Sequence, residues 1–474
     1  MFHGIKKSDI HKLTPEEEKK NEETLKKIKV IQNKILQIKS NPKADKKTLD
    51  FLYKAAILMS DYPTLWSLRK ILLNKFTEEN LKDKNEQFNL YKKEINDLFQ
   101  IMKKDHKSYL LWFHRIWCLI KILEIEKEQK INLEESLINN EIELTNKFLI
   151  KDDRNFHVWN YRVELLSLIN KYYKSTFQNL IEKELEFTLN KIKINFSNFS
   201  AWHYRTKLIP IYFTNNNIKW NSENALNFFK EDLDLLKKAF YTDPKDQSPW
   251  NYHYWIFNNF SPIYVENINI NNENFEVNIK YSNVFKIKEV VKEENFEILN
   301  KEEFNDCINI KLNFNDNNEV VVKNKEIDKI DFCFDGLSLI VNKICFTKEN
   351  LNLPEIKFFK DKNNNNEIKY EIIMNNVEEF QKNFFKNQLE MIKELINNSK
   401  DVFIENAHFR LAQIYNIFCQ IEKKNEFKEL ELNEYKILKE KSKRMKNMYE
   451  TILENFNKNL FNFNLKIISN IIFN

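Results

Sequence analysis

The feature that most constrains the fold is a short motif that recurs along the first half of the chain. A tryptophan is followed three residues later by arginine or histidine, and the tryptophans lie 46, 47, 43 and 48 residues apart. The motif occurs at Trp66 and Arg69, Trp112 and Arg115, Trp159 and Arg162, Trp202 and Arg205, and Trp250 and His253. A period of this length is typical of proteins that stack one supersecondary unit many times.

The residues around each tryptophan predict that the unit is a pair of helices. Ser248 with Pro249, Ser200, and Asn155 each lie shortly before a tryptophan, and such residues are favoured at helix starts. Between the tryptophans, apolar residues recur at spacings of three and four, which indicates a second, amphipathic helix. We predict these second helices over 79–103, 133–151, 175–193 and 222–240.

A helical pair of this size cannot bury its own apolar face, so neighbouring pairs must stack. We therefore predict a mainly α fold, a right-handed α–α superhelix (a solenoid) of helical hairpins. The tryptophan and the arginine or histidine of each motif are one helical turn apart and share a face. We interpret all ten of these anchor residues as structural contacts between hairpins.

The pattern changes after residue 260, where short apolar runs alternate with a period of two. The runs are Phe275–Ile279, Phe285–Val290, Ile308–Leu312, Val320–Val322, Ile330–Phe334 and Leu339–Val341. They predict an inserted β-sandwich-like domain, although a low-complexity, asparagine-rich expansion is the alternative. Helical periodicity returns from 377 onward. The predicted domains are thus 1–260, 261–366 and 367–474.

Composition excludes several classes of function. The chain has only two glycines, Gly4 and Gly336, so the glycine-rich phosphate loops of nucleotide-binding folds are absent. Lysine and arginine total 75 against 70 acidic residues, a net charge of +5, which is too balanced to predict nucleic-acid binding. No apolar stretch of about 18 residues predicts a transmembrane segment.

The cysteines and histidines do not form a recognisable metal site. The five cysteines are scattered without a Cys-x-x-Cys pair, which favours reduced thiols in a cytoplasmic protein. The eight histidines show no ligand spacing. His3 is the one residue for which we consider a metal role, and a tail residue without a ligand is the simpler interpretation. We expect no metal or cofactor to be bound by this chain itself.

Three of the units carry a more specific resemblance. The segments 153–162 (DRNFHVWNYR), 195–205 (NFSNFSAWHYR) and 243–253 (DPKDQSPWNYH) resemble repeats of protein prenyltransferase α subunits. Within that family the chain is most similar to the type II branch, the Rab geranylgeranyltransferases. The resemblance covers roughly 1–257, and Tyr254 stands where the family commonly has arginine.

The resemblance implies a function as one half of a heterodimer. In this family the helical hairpins surround a β subunit that holds the catalytic zinc, and geranylgeranyl diphosphate binds at the subunit interface. The lipid is transferred to the C-terminal cysteines of Rab GTPases, which a Rab escort protein delivers. Some members carry an immunoglobulin-like domain where the predicted insertion lies. The alternatives are an α subunit of the farnesyl or type I enzymes and a non-enzymatic helical-repeat adaptor.

The resemblance also points to four candidate binding residues and to no catalytic residue in this chain alone. The farnesyl and type I enzymes have a lysine near the diphosphate at the position that matches Arg154, and a guanidinium can bind two phosphate oxygens at once. The alternative is an exposed arginine paired with Asp152 or Asp153. Asn155, Phe156 and His157 follow directly and are candidates to line the protein-substrate groove, with structural roles as the alternative.

Overall fold

The computed structural model describes two helical stretches and a set of strands between them. The described residues are 14–261 without 134 and 221, then the strands between 262 and 378, and 379–457 without 400, 401, 423, 443 and 444. The chain divides into two compact units, residues 1–177 and 178–474. The three predicted domains are not tested by this division and stay a prediction.

The first unit consists of helical hairpins. Helices α2 and α3, α4 and α5, and α6 and α7 pack as pairs, and a short 3-10 turn follows at Lys174–Thr176. The helices are α1 Pro15–Ser40, α2 Lys46–Leu58, α3 Pro63–Asn80, α4 Lys84–Met102, α5 Tyr109–Glu128, α6 Leu137–Lys151 and α7 Phe156–Tyr172.

The second unit begins with two more hairpins and ends with four helices. Its helices are α8 Phe177–Ile194, α9 Phe199–Asn215, α10 Glu223–Phe228, α11 Lys230–Thr242, α12 Gln247–Phe260, α13 Glu379–Asn398, α14 Glu405–Glu422, α15 Asn425–Lys441 and α16 Lys446–Asn457. Helices α14, α15 and α16 share an apolar core that includes Phe409, Tyr435 and Tyr449.

Helix starts depend on short polar side chains, but two of the predicted caps are wrong. Asn155 caps α7, as predicted. The cap of α12 is Asp246 and that of α9 is Asn198, so Ser248 and Ser200 lie inside the first turn. A carboxylate or amide two or three residues earlier already accepts the first free backbone N–H groups, and the serines have none left to cap.

The amphipathic stripes located the helices well but missed two breaks. The predicted helix over 222–240 is divided at Phe229 into α10 and α11. The helical periodicity predicted from 377 onward likewise gave no sign of the break near Ser442, which separates α15 from α16. In both places the apolar spacing continues across the break, so periodicity alone cannot reveal it.

Antiparallel strands occupy the described part of the region after residue 264. One sheet has the order β1-β2-β5-β4-β3, with β7 beside β2, and the other has the order β6-β8-β9. The strands are β1 Val265–Asn271, β2 Glu276–Ile287, β3 Lys292–Glu293, β4 Phe296–Ile298, β5 Phe304–Leu312, β6 Glu319–Val322, β7 Ile327–Lys329, β8 Glu355–Asp361 and β9 Asn364–Ile373.

Packing of the two sheets as a sandwich stays a prediction. The runs predicted at 330–334 and 339–341 lie outside the described residues. Strand β9 begins at Asn364 and pairs with β8 as far as Ile373.

The core of the helical part is built on the repeated tryptophans. All five anchor tryptophans are buried, with exposed fractions between 1% and 4%. The predicted fold class, a mainly α repeat of helical hairpins, is confirmed. Among the described residues, no helix is both long and apolar enough to cross a bilayer.

Candidate functional site

Each anchor tryptophan fixes the loop that joins the two helices of its hairpin. Its indole N–H donates to the backbone carbonyl six residues earlier, at 2.6 to 2.9 Å. The accepting carbonyls belong to Ser60, His106, Asp153, Phe196 and Pro244. Five loops of different sequence therefore have the same closure, and residues at equal distances from the tryptophan can be compared between them.

The anchor arginines join three helices in the buried interior. Arg115 on α5 donates from Nε and Nη2 to Glu141 on α6, at 2.6 and 2.7 Å, and from Nη1 to the carbonyl of Ile95 on α4 at 2.7 Å. A planar guanidinium matches a carboxylate in this two-bond geometry. The fork therefore ties one hairpin to the next.

The same arrangement recurs at other anchors. Arg69 binds Glu94 and the carbonyl of Leu49, and Arg205 binds Asp232 and the carbonyl of Leu185. Arg162 donates to Thr145 and Asn146 at 2.6 and 2.7 Å. His253, the variant anchor, contacts Gln388 at 2.9 Å. Burial, together with the nearby charge of Arg410, lowers the pKa of His253 to about 3, so the ring is neutral. The structure thus places all ten anchors in packed, mostly buried contacts.

The acids that receive these arginines were missed in the sequence. Glu94, Glu141 and Asp232 also contact the residue before the next anchor, 20 positions on: His114, Tyr161 and Tyr252. A fourth acid, Glu184, accepts from Tyr204 at the same separation. The acids lie 47, 43 and 48 residues apart, like the tryptophans. That shared spacing was the available signal, but acidic residues are so frequent in this chain that it did not stand out.

These contacts keep the buried carboxylate of Glu94 ionised. Burial disfavours the charge of Glu94, but the hydrogen bonds from Arg69 and His114 outweigh it and lower the pKa of Glu94 to about 2. A fully paired buried charge is stable, whereas removal of one partner leaves the other unpaired in the interior. The buried network of arginines and acids therefore has a structural role.

The loop before α7 brings the candidate Arg154 to the surface. Arg154 is exposed, and its backbone N–H donates to Asp152 Oδ1 at 3.3 Å. Within the described part of the chain, no hydrogen bond or ion pair joins its guanidinium to Asp152. The carboxylate of Asp152 instead forms an ion pair with Nζ of Lys107, at 3.3 Å.

Lys107 is a second cation that the sequence reasoning missed. It lies five residues before Trp112, and Arg154 lies five residues before Trp159, so the two residues occupy the same place in successive loops. The side chain of Lys107 is 65% exposed. Two cationic side chains thus project from neighbouring loops whose backbones the tryptophans hold.

Beside these cations lies a set of rings that we call the aromatic cluster: the exposed rings of Tyr109, Phe113 and Phe156, and the buried ring of His157. The first three are 41%, 50% and 47% exposed. The ring centroid of Tyr109 lies 6.2 Å from that of Phe113, 5.8 Å from Phe156 and 4.2 Å from His157. Such contiguous apolar exposure on a folded protein commonly marks an interaction site.

The remaining predicted groove residues contribute from below the surface. Asn155 is buried, and its side chain caps α7 through the N–H of His157. His157 is buried beneath the rings of Tyr109 and Phe156. Burial, and then the charge of Lys107, lower the pKa of His157, so the imidazole is neutral at pH 7. Of the four candidates, only Arg154 and Phe156 can meet a partner directly.

The described residues contain no cluster of three or more side chains that could hold a metal ion. His3 lies outside the described residues. The candidate site is therefore a cationic and aromatic surface, formed by the loops before α5 and α7 and by the first turns of these helices.

Comparison with known proteins places this arrangement in a family. A family model described as "Protein prenyltransferase alpha subunit repeat" matches residues 91–122, 138–169, 181–211 and 229–260. The Dictyostelium discoideum protein "Geranylgeranyl transferase type-2 subunit alpha" is 33% identical over 255 residues, which cover 52% of this chain and 73% of that protein. This chain belongs to the protein prenyltransferase α-subunit family, in the type-2 geranylgeranyl branch.

Other relatives with the same name cover different shares of their own length. The Candida albicans protein is 28% identical over 281 residues, which cover 54% of this chain and 73% of that protein. The Rattus norvegicus protein is 32% identical over 248 residues, which cover 52% of this chain but only 40% of that protein. The chain thus matches less than half of the rat α subunit. Each matched repeat contains an anchor tryptophan, whereas the hairpin that contains Trp66 lies outside the four matched ranges.

Proposed function

We propose that this chain is the α subunit of a cytoplasmic, heterodimeric Rab geranylgeranyltransferase. The observation that carries the proposal is the aromatic cluster beside Lys107 and Arg154, on hairpins of the prenyltransferase α-subunit family. In this proposal the chain serves as scaffold and docking surface for a β subunit that carries zinc. Rab GTPases brought by an escort protein receive geranylgeranyl from geranylgeranyl diphosphate bound at the interface of the subunits.

The two cations are suited to the charge that such a reaction creates. A cysteine thiolate forms a bond to the allylic carbon of the lipid, and diphosphate leaves with the electron pair of the broken C–O bond. Fixed cations stabilise the charge that develops on the leaving oxygens. We assign this role to Arg154, which can bind two oxygens at once, and to Lys107, which acts as a point charge.

The aromatic cluster is suited to the apolar part of the complex. Rings with exposed faces lose unfavourable contact with water when a lipid or an apolar peptide covers them, at about 25 cal/mol per Å². We assign Tyr109, Phe113 and Phe156 to contacts with the substrates or with the β subunit. The neutral, buried His157 holds the rings of Tyr109 and Phe156 in place.

The test is a prenyl-transfer assay with the co-expressed β subunit, a Rab protein and the escort protein. Arg154→Ala and Lys107→Ala should each lower kcat by about tenfold or more, because an electrostatic contact to the leaving group is lost. Both complexes should still co-purify. The matched control is Lys75→Ala, an exposed lysine on α3 that pairs with Glu79. Unchanged turnover in both variants would remove the cations from the proposal.

The same assay separates the alternatives. If no β subunit co-purifies with the chain, the adaptor alternative is favoured and the enzymatic function is lost. If farnesyl diphosphate replaces geranylgeranyl diphosphate without loss of rate, the chain belongs with a farnesyl enzyme. The names of the relatives favour geranylgeranyl transfer.

A change in the aromatic cluster should affect binding before chemistry. Phe156→Ala should raise KM for the protein substrate, or weaken the complex with the β subunit, because an exposed ring is lost from the contact surface. Ile71→Ala is the matched control, because Ile71 on α3 is also exposed but lies outside the cluster. Equal behaviour of the two variants would mean that the cluster is not an interface.

A further inference from the structure

A buried carboxyl group on α15 lacks a cation partner among the described residues. Glu431 is 4% exposed. Its two carboxyl oxygens both lie near the amide nitrogen of Asn416 on α14, at 3.1 and 3.2 Å. Among the described residues, no lysine, arginine or histidine forms an ion pair with it. A buried carboxylate without an opposite charge is costly, and such groups usually take up a proton instead.

The other charged groups on the packed helices are occupied elsewhere. Helix α15 packs against α14 and α16. On α15, Glu434 contacts His408 of α14 at 2.7 Å, and Lys439 pairs with Glu450 of α16 at 2.8 Å. On α14, Arg410 lies over the ring of Tyr254, the carboxylate of Glu405 accepts from Tyr449 and Ser442, and the half-buried thiol of Cys419 is held neutral.

The remaining nearby cation acts only weakly. Burial raises the pKa of Glu431 from 4.5 to about 8, while the Asn416 hydrogen bond and the charge of Lys428 oppose this rise and are outweighed. Lys428 lies on the same helix, three residues before Glu431. The carboxyl group is therefore mostly protonated at neutral pH.

A second observation indicates which group can accept a hydrogen bond from protonated Glu431. The side-chain oxygen of Asn416 is buried and lacks a hydrogen-bond donor in the described structure. A carboxylic acid and a primary amide can form a closed pair, in which the acid O–H donates to the amide oxygen and the amide N–H donates to the acid carbonyl. A small rotation of Asn416 makes this pair and satisfies its oxygen. Ionised Glu431 has no hydrogen to donate.

We propose that Glu431 and Asn416 form a proton-dependent latch: the protonated pair holds α15 on α14, and loss of the proton loosens α15. The helices share the core that contains Phe409, Tyr435 and Tyr449, so loosening of α15 also exposes part of α16. The latch is independent of the prenyltransferase function. Its site lies outside the candidate surface described above.

The direction of the pH effect follows from the raised pKa. The folded latch binds the proton more tightly than the open chain, whose carboxyl group has the ordinary value of 4.5. The stabilisation is complete below pH 4.5 and is lost as the pH rises toward 8. In that window each opening releases one proton, so the opening constant rises about tenfold per pH unit.

The experiment is hydrogen–deuterium exchange of the full chain between pH 6 and pH 7.5. Protection factors of the α15 amides, corrected for intrinsic exchange, should fall by about tenfold per pH unit in the wild type. In Glu431→Gln, which keeps the shape without the ionisable group, they should not change with pH. Glu429→Gln is the matched control on an exposed position of α15 and should behave as the wild type.

A second measurement needs no variant. The infrared difference spectrum of the wild type between pH 6 and pH 9 should contain the loss of a carboxylic-acid C=O band. Other carboxyl groups that are not buried are already ionised at pH 6. The proposal is overturned if this band is absent, if wild-type protection does not fall with pH, or if Glu431→Gln retains the same fall.

Discussion

The junctions between the hairpins and the junction between α14 and α15 use similar residues with opposite results. In the hairpins, an arginine meets an acid 25 to 27 residues later and both charges are paired. At the C-terminal end, Arg410 and Glu431 are only 21 residues apart and do not meet. Arg410 lies over Tyr254 at 4.3 Å, and its Nε has no partner within the described contacts.

The comparison shows that the paired junction needs more than an arginine and an acid. In the sequence Ala407-His-Phe-Arg410, alanine stands where the repeats have tryptophan, and Phe409 stands where four of the five repeats have tyrosine or histidine. Among the described residues, no indole N–H donates to the loop before α14, and no hydroxyl group or imidazole ring contacts Glu431. Burial without an acid partner lowers the pKa of Arg410 to about 10, whereas the pKa of the paired Arg115 is raised above its ordinary value.

The largest expected effect comes from breaking a paired junction. Arg115→Met leaves Glu141 as an unpaired buried charge and should lower the free energy of unfolding by about 3–5 kcal/mol. Urea unfolding followed by tryptophan fluorescence measures this. The double variant Arg115→Met/Glu141→Gln should lose less free energy of unfolding than the single variant Arg115→Met. Lys121→Met, at a half-buried position on α5 away from the junction, is the control. A loss of unfolding free energy in Arg115→Met close to that of the control would contradict the role of the junction.

Acid should weaken the hairpins, whereas base should weaken the C-terminal helices. Because the pKa of Glu94 is lowered to about 2 from 4.5, its contribution is complete above pH 4.5 and is lost as the pH falls through 2. The loss should be about 3 kcal/mol. Thermal unfolding of Glu94→Gln should show a correspondingly weaker dependence on acid pH. Glu79→Gln, an exposed acid on α3, should keep the wild-type dependence.

A smaller effect is expected from removal of the orienting hydroxyl group. Tyr161→Phe removes the hydrogen bond to Glu141, which spans 2.6 Å, and should cost about 1.5–3 kcal/mol because the acceptor is charged. Urea unfolding is again the measurement. Tyr172→Phe is the control, since its hydroxyl group makes no hydrogen bond in the described contacts. If both variants cost the same, the hydroxyl group does not orient the acid.

The smallest effect is expected at the unpaired arginine. Arg410→Met removes a buried charge that has no acid partner, so the lost stacking on Tyr254 is offset by relief from desolvation. The free energy of unfolding should change by about 1 kcal/mol or less. A loss as large as that of Arg115→Met in the same urea experiment would mean that Arg410 is paired, and the two junctions would then be equivalent.

The repeat could be read from the sequence because tryptophan is rare and its spacing is regular. The anchors, the hairpins and the cap at Asn155 all followed from that spacing and from local side-chain preferences. The acids Glu94 and Glu141 recur just as regularly. Because acidic residues are frequent in this chain, their spacing does not stand out from that of the other acids. The division at Phe229 was invisible because the apolar period continues through it.

The sequence predicted only some of the residues of the candidate surface. Arg154 and Phe156 came from the resemblance, and both proved to be exposed. Lys107 was missed because its relation to Arg154 appears only after the loops are superimposed on their tryptophans. Asn155 and His157 are adjacent in sequence to exposed residues, but helix geometry turns them inward. Adjacency along a chain does not determine which side chains share a surface.

The hydrogen bond from each indole to the carbonyl six residues before it limits how the protein can vary. A loop spanned in this way cannot take up an extra residue without detaching its tryptophan from the core. Exposed residues of these loops, such as Lys107 and Arg154, can be substituted without breaking this hydrogen bond. Insertion or deletion of residues in the loops would break it. The one long addition to the helical part, between α12 and α13, begins after Phe260, beyond the last of these ties. The long connection between α12 and α13 thus lies where none of these five hydrogen bonds limits its length.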